Sequence, residues 1–437
     1  MSPTFRSLHN PNYRKYAAGS LVSNVGTWMQ RIAQDWLVLV LTGSGTALGI
    51  TTGLQFLPVL LLSPYAGLIA DRLPKRRLLQ ITQAAMGISS LMLGLITVLG
   101  VVEVWHVYAI ALVFGVAAAF DAPARQSFVS ELVDADDLTN AVGLNSATFN
   151  MARILGPGLA GLMIGALGGG AWATGWVILV NAVSYGAVIW QLRAMDATLL
   201  HPSKPAPRGP GMLRDGVRYV AGQPKMVMIL ILVFFAGTFG MNFQITSALM
   251  ATEVFGKGAS EFGLLGSTMA IGSLAGALMA ARRPRVRLRL LVIAGVGFGL
   301  AEVVAGLLPS YVVFAAFSPL IGFSTITLLN SANAVMQLES DPMMRGRVMA
   351  LYMTIVMGGT PLGAPVIGWI GEVAGARWTL VIGGLLVIAG TVLAAATYVR
   401  MEKSRMVRER AILTPEHAPS NVIPRVWDNP AVARARK

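Results

Sequence analysis

The sequence predicts an all-α membrane protein: twelve transmembrane helices in two pseudo-symmetric six-helix bundles. Three observations predict it. Hydrophobic residues make up 55% of the 437 and charged residues only 12%. The uncharged runs are long enough to cross a bilayer. Lys and Arg fall almost wholly on one side of the resulting topology. A soluble chain of this length would form about three domains, and soluble domains carry roughly 25% charged residues. The mean hydropathy of +0.65 agrees. Zero cysteines exclude thiolate catalysis, a disulfide scaffold and Cys-ligated zinc, and four scattered histidines leave little for a metal site. The chain contains no Gly-x-x-x-x-Gly-Lys-Ser/Thr loop and no other enzyme signature. The expectation is a protein that is not an enzyme, uses no cofactor and draws on no ATP.

Most of the helices follow from charge-free runs of about 20 residues, the length that spans a bilayer; the first, fifth and ninth carry ionisable residues within an otherwise apolar stretch. Trp36–Ala70 is too long for one span and is split by Thr42-Gly43-Ser44-Gly45-Thr46; Ile154–Leu192 is split by Gly168-Gly169-Gly170. The helices expected in order are 14–41, 46–70, 78–100, 104–124, 139–166, 173–192, 225–252, 260–281, 288–308, 311–336, 346–370 and 377–399. Arg6, His9, Arg14 and Lys15 leave no apolar stretch for a signal peptide at the start. Residues 1–192 form the first half and 225–400 the second. Between them, 193–224 is a linker that opens Pro-rich and ends in an amphipathic stretch (Met212, Leu213, Val217, Tyr219 and Val220 among Arg214, Asp215 and Arg218), expected as a short helix on the membrane surface. Residues 401–437 are a basic tail.

Orientation follows from the basic residues. With both termini in the cytoplasm, 30 of the 34 Lys and Arg lie on the cytoplasmic side; the outer loops hold Lys257 and Arg377. Arg31 and Arg153 lie inside helices. The net charge of +14 is therefore a topology signal and a face for anionic lipid, not a nucleic-acid groove. The halves resemble weak repeats: a basic hairpin follows the second and the eighth helix, and Gly156-Pro157 matches Thr360-Pro361 at a fixed offset. Parallel repeats of this kind place a substrate site between the halves near the midplane.

Ionisable residues inside a span cost at least ~2.5–3.5 kcal/mol on insertion scales, so each is a functional candidate. Arg31 and Asp35 stand one turn apart on the first helix, Arg153 is mid-depth on the fifth and Glu302 lies on the ninth. Gln30, Gln55 and Asn150 add neutral polar groups. Asp35 is the residue best placed to carry a proton, with Arg31 beside it and an apolar surround. The alternative is a permanent Arg31–Asp35 pair that only makes the charges tolerable. Arg153 would add to the field and favour an anionic ligand. Glu302 either faces the interior or snorkels towards lipid. Pro157 and Pro361 bend their helices, and the small residues around Gly156 let a neighbour approach closely.

Gly67-Leu68-Ile69-Ala70-Asp71-Arg72-Leu73-Pro74-Lys75-Arg76-Arg77 resembles the loop 2–3 signature of the major facilitator superfamily, with Pro74 where a second Gly is usual. Gly143, Ala152, Gly156-Pro157 and Ala160-Gly161 resemble its helix 5 antiporter motif. Within the superfamily, Gly26-Thr27-Trp28-Met29-Gln30, Gln55-Phe56-Leu57-Pro58 and Phe120-Asp121-Ala122-Pro123-Ala124-Arg125-Gln126 are similar to the enterobactin-exporter-like group of bacterial efflux transporters. The resemblance implies efflux of a small drug-like or siderophore-like compound by proton antiport and alternating access, in a monomer of the bacterial inner membrane. Uptake, or a non-transporting receptor on the same scaffold, are the alternatives. It also implies a gate: Gly67 and Asp71 at the end of the second helix facing the start of the eleventh, with Arg72 and Arg76 reaching Asp121 or the acidic run Glu131–Asp137.

The topology is testable in a chain that lacks cysteine. Single cysteines at Ser44, Ser203 and Ser420 are expected to split in intact cells treated with an impermeant thiol reagent. Only Ser44 should react; labelling at Ser203 would reverse the orientation.

Overall fold

The computed structural model describes residues 3–201, 212–282 and 287–413. The Pro-rich stretch 202–207, the basic residues Arg283 and Arg285 and the tail beyond Leu413 lie outside the described residues, as does the side chain of Asp71. Among the described residues the regular structure is entirely helical. The first half comprises α1 (Pro11–Thr42), α2 (Gly45–Arg72), α3 (Lys75–Val98), α4 (Val104–Leu132), α5 (Ala135–Ala166) and α6 (Ala171–Arg193). A linker helix α7 (Met212–Ala221) precedes the second half: α8 (Pro224–Phe235), α9 (Phe243–Leu249), α10 (Ala259–Ala281), α11 (Leu288–Leu307), α12 (Tyr311–Glu339), α13 (Arg345–Ala374) and α14 (Ala376–Leu413).

Local chemistry sets the boundaries. The Asn10 side chain accepts from the amides of Asn12 and Tyr13, and Pro11 opens α1. At the other end Gly43 adopts a left-handed φ of 62° and returns its N–H to Leu39 O, and Ser44 then caps α2 through Ala47 N. Three helices run further than their uncharged cores. α4 continues to Leu132, α5 starts at Ala135 and α14 reaches Leu413. Charge ends a membrane-compatible run, but it does not end a helix whose charged turns stand in water.

The seventh expected helix is interrupted. Residues Ala236–Gly240 and Met250–Val254 wind as π-helix, and the chain breaks at Met241–Asn242. Run length and charge do not detect this, because Met226–Thr252 is charge-free throughout. Packing causes it: Cβ atoms at Gly237 and Gly240 would lie 3.0 Å from Val356 O and 2.6 Å from the Phe298 ring. The Asn242 side chain donates to Thr238 O at 2.8 Å, partly repairing the break. Taken as one span, this segment is among ten that are long and apolar enough to cross a membrane. α1 and α5 are not among those ten, and they are the helices that carry Arg31, Asp35 and Arg153.

The linker helix docks on protein. Arg347 of α13 reaches Asp215 at 3.2 Å, the Tyr219 hydroxyl accepts from Asp341 N at 3.1 Å, and Val220 is buried. These contacts tie α7 to the turn between α12 and α13, where the sequence suggested a membrane-surface helix.

The two halves meet along two seams, α2 with α13 and α5 with α10. Each is a near backbone-to-backbone contact. A Cβ at Gly49 would lie 2.3 Å from Ala364 O, and one at Gly263 would lie 2.3 Å from Pro157 O. Both seams are tight at the face bearing the α1–α2 turn, where Ser44 Oγ donates to Glu372 Oε2 at 2.8 Å. Trp36 also stacks on Phe262 across the halves there, with ring centroids 6.2 Å apart. Towards the opposite, basic face α2 leaves α13. Gly358 still meets Leu60, but Leu61 and Tyr65 are exposed, and nothing lies within 4 Å of a Cβ at Gly143 or Gly346. The close backbone contacts between the halves thus gather towards the face of the α1–α2 turn and do not continue to the basic one.

A Gly49→Val change should wedge the closed face apart. A disulfide between cysteines placed at Ser44 and Glu372 is expected to form at least ~10-fold more slowly with Gly49→Val than without it. Gly143→Val, which enters open space, should leave the rate unchanged. Equal rates in all three would show that the seam does not depend on the glycine.

Candidate substrate cavity and gate

At the basic face the first half is held by a buried polar cluster. Lys75, the first residue of α3, donates to Glu131 Oε1 at 2.5 Å, and both side chains are less than a tenth exposed. Asp121 accepts from Thr82 Oγ1 at 2.8 Å, Gln83 Nε2 at 2.8 Å and Arg125 Nε at 2.9 Å. Arg6 pairs with Asp137 at 2.6 Å. Arg76 turns the other way, donating to Leu192 O at 2.7 Å and Arg193 O at 2.9 Å, where it satisfies carbonyls at the end of α6. The sequence expectation is therefore corrected: Lys75 and Arg6 occupy the acidic run and Arg125 occupies Asp121. Neighbouring residues on a helix point about 100° apart, so Lys75 faces α4 while Arg76 faces α6. Arg72 is exposed. Gly67 is half-buried on α2. Asp121 belongs to the internal bracing of one half.

The interior site is built on α1, α2 and α5. Arg31 Cζ lies 4.8 Å from the Trp28 ring centroid and 5.4 Å from that of Phe56. Arg153 Cζ approaches the same Trp28 ring at 5.8 Å from α5. Phe149, one turn before Arg153, meets Trp28 edge to face at 6.1 Å. Gly156 makes the approach possible, since a Cβ there would lie 2.4 Å from Trp28 Cβ. Gln34 donates to Gln55 at 3.3 Å, joining α1 to α2 beside the cluster. Asp35 is buried, 5% exposed, one turn further along α1. The Arg31 and Asp35 side chains do not come within the 4.0 Å of an ion pair, despite their i, i+4 spacing. Arg31 Nε is buried with no hydrogen-bond partner.

Three other candidates stand elsewhere. Gln30 accepts from Ser90 Oγ at 2.7 Å and Asn181 Nδ2 at 2.6 Å, which ties α1 to α3 and α6, whereas Gln34, one turn on, reaches α2. Asn150 donates to Ser146 O at 2.9 Å within its own helix. Glu302 does not face lipid: it is 2% exposed, its Oε2 has no partner, and it packs against Gly383 and Gly384 of α14. The prolines sit at the seams: Pro157 against Gly263 and Gly266 of α10, and Pro361 with Pro365 against Gly53 of α2. Sequence reasoning missed Trp28, Phe56, Phe149 and Gln34. The first two lay inside the motif segments, and their aromatic character beside intramembrane arginines was the available signal. No cluster of metal-ligating side chains occurs among the described residues.

The transmembrane secretion effector family model matches residues 2–422. The chain belongs to that family of major facilitator superfamily transporters. It is 26% identical over 371 residues to the multidrug efflux pump Tap of Mycolicibacterium fortuitum, covering 82% of this chain and 89% of that protein. It is 31% identical over 150 residues to the staphyloferrin A transporter of Staphylococcus aureus, covering 34% of this chain and 38% of that one. Its fold is that of a bacterial homologue of the human lysosomal transporter Spinster solved in an inward-facing, unoccupied conformation. The TM-score is 0.66 at 15% identity, over 88% of this chain and 98% of that one.

The cluster and the exposed loop make separable demands. Asp121→Asn removes the charge from a three-donor acceptor, and charged hydrogen bonds contribute about 1.5–3 kcal/mol each. The melting temperature in detergent should fall by several degrees. Arg72→Ala, at an exposed position, should leave it unchanged. A melting loss for Arg72→Ala equal to that of Asp121→Asn would contradict Asp121 as the brace.

Proposed function

We propose that the protein is a secondary active exporter of a small amphiphilic compound, running by alternating access with proton exchange across a bacterial cytoplasmic membrane. The observation that carries this reading is the gathering of the tight contacts between the halves at one face, beside the Trp28–Arg31–Arg153 site; the basic face is read as the open one. The basic loops put the open face in the cytoplasm, so the site stands ready to load from inside. The efflux names of the relatives support the outward direction. Closing the basic face and opening the Gly49 and Gly263 seams then delivers the ligand outside. The moving units are residues 1–192 and 225–400, each braced within itself. The chain works as a monomer whose basic face rests on anionic lipid headgroups. Asp71 and Arg72 end α2 at the open face and meet the start of α13 when that face shuts.

Asp35 is the proposed proton carrier. It is buried on a helix of the interior site, and it makes no ion pair with Arg31 in this arrangement, which favours an exchangeable proton over a permanent pair. Glu302 is a second buried acid, on a helix that packs against α12, α14 and the interrupted segment.

The test uses purified protein in liposomes with an imposed pH gradient. Asp35→Asn should abolish uphill efflux while leaving ligand binding and downhill exchange measurable. The double variant Arg31→Gln with Asp35→Asn should be equally uncoupled. Full pH-driven transport by the double variant would end the role of Asp35 in coupling.

A further inference from the structure

We infer that the interior site takes an organic anion, a carboxylate- or sulfonate-bearing amphiphile whose apolar body lies on the aromatic wall. This rests on the export reading and adds the charge class of the ligand. Two guanidinium groups from different helices converge on one indole, at 4.8 Å and 5.8 Å from its centroid. Neither is within ion-pair distance of a carboxylate among the described residues; the acids on the same elements are Asp35, beyond 4.0 Å from Arg31, and Asp136 and Asp137 at the opposite end of α5. Arg31 Nε is buried and unpartnered.

Two cations beside one indole in an apolar surround repel each other and have each lost much of their water. The Trp28 and Phe56 faces offset part of that through cation–π attraction. A ring face leaves the in-plane N–H donors of a guanidinium unused. A carboxylate or sulfonate is planar or tripodal, accepts several such donors at once and neutralises the excess charge. Trp28, Phe56 and Phe149 then provide the surface for a ring or alkyl body, and Gln34 and Gln55 a polar edge. A cationic amphiphile would face both arginines, with Asp35 the near counter-charge among the described residues.

The experiment measures binding of a matched dansyl set to the full-length protein in nanodiscs: anionic dansylglycine, neutral dansylamide and cationic dansylcadaverine. Dansylglycine should bind at least ~10-fold more tightly than the other two. Arg31→Gln and Arg153→Gln should each weaken dansylglycine by about 10-fold and change dansylamide by less than about twofold. Arg153→Lys, which keeps the charge without the fork, should fall between. Melting curves screen each variant for folding, and Arg153→Lys supplies the comparison if a Gln variant does not fold. Equal or tighter binding of dansylcadaverine would overturn the inference. So would Gln variants that weaken all three probes alike, which would leave the arginines as cation–π braces only. Failure of the export reading looks different: no probe would be moved uphill in liposomes, whatever its binding preference.

Discussion

The constraint on which the structure depends is close approach of bare backbone at two seams. At Gly49 on α2 and Gly263 on α10 there is no room for a side chain against Ala364 O and Pro157 O. In a bilayer, lipid tails are as apolar as leucine, so burying apolar surface gives little net drive to join helices. Dispersion and shape fit take its place, and these fall off steeply with distance. A contact of this kind is either made or lost. That suits a seam between halves better than large interlocking side chains would. It also explains why the seams can be tight at one face while α2 and α13 separate towards the other.

The first half, by contrast, is tied together with charge. Lys75–Glu131 and the three donors on Asp121 sit at the basic end, where each partner is largely shielded from water. Removing one member of such a pair leaves an uncompensated buried charge, at a cost of about 3–5 kcal/mol. These contacts therefore hold one half rigid, because none of them crosses to the other. The contacts described across the halves are made mainly by glycine, proline, aliphatic and aromatic groups, with the Ser44–Glu372 hydrogen bond at the surface. Rigid halves joined by breakable seams are the mechanical requirement of a rocking transporter.

The interior site departs from this economy. Arg31 and Arg153 are left with aromatic faces and no anion, although Asp35 is one turn away. Folding alone would favour closing that pair, since each isolated charge is expensive in an apolar setting. In the proposed function, keeping it open leaves donors for a ligand and a carboxyl group for proton exchange. The two helices that fall short of the apolarity of a typical span, α1 and α5, are the ones that bear these groups, so the polar residues are concentrated where the halves face each other.

The sequence by itself determined most of the helices, their order and the turn at Gly43, because run length, charge position and turn residues act locally. It placed Arg31, Asp35 and Arg153 inside helices for the same reason. It also marked Gly156 and Pro157 as a contact point, since small residues beside proline have few other uses in a membrane helix. Only the tertiary structure decided which way each side chain points and what it meets. Gln30 braces α3 and α6 while Gln34, one turn on, lies beside the site. Lys75 takes Glu131 while its neighbour Arg76 ends α6. Glu302 turns inward to α14. The interruption at Met241–Asn242 was invisible in a charge-free run. Each outcome depends on a rotation of about 100° per residue and on a partner more than twenty residues away in sequence, and local pattern carries neither.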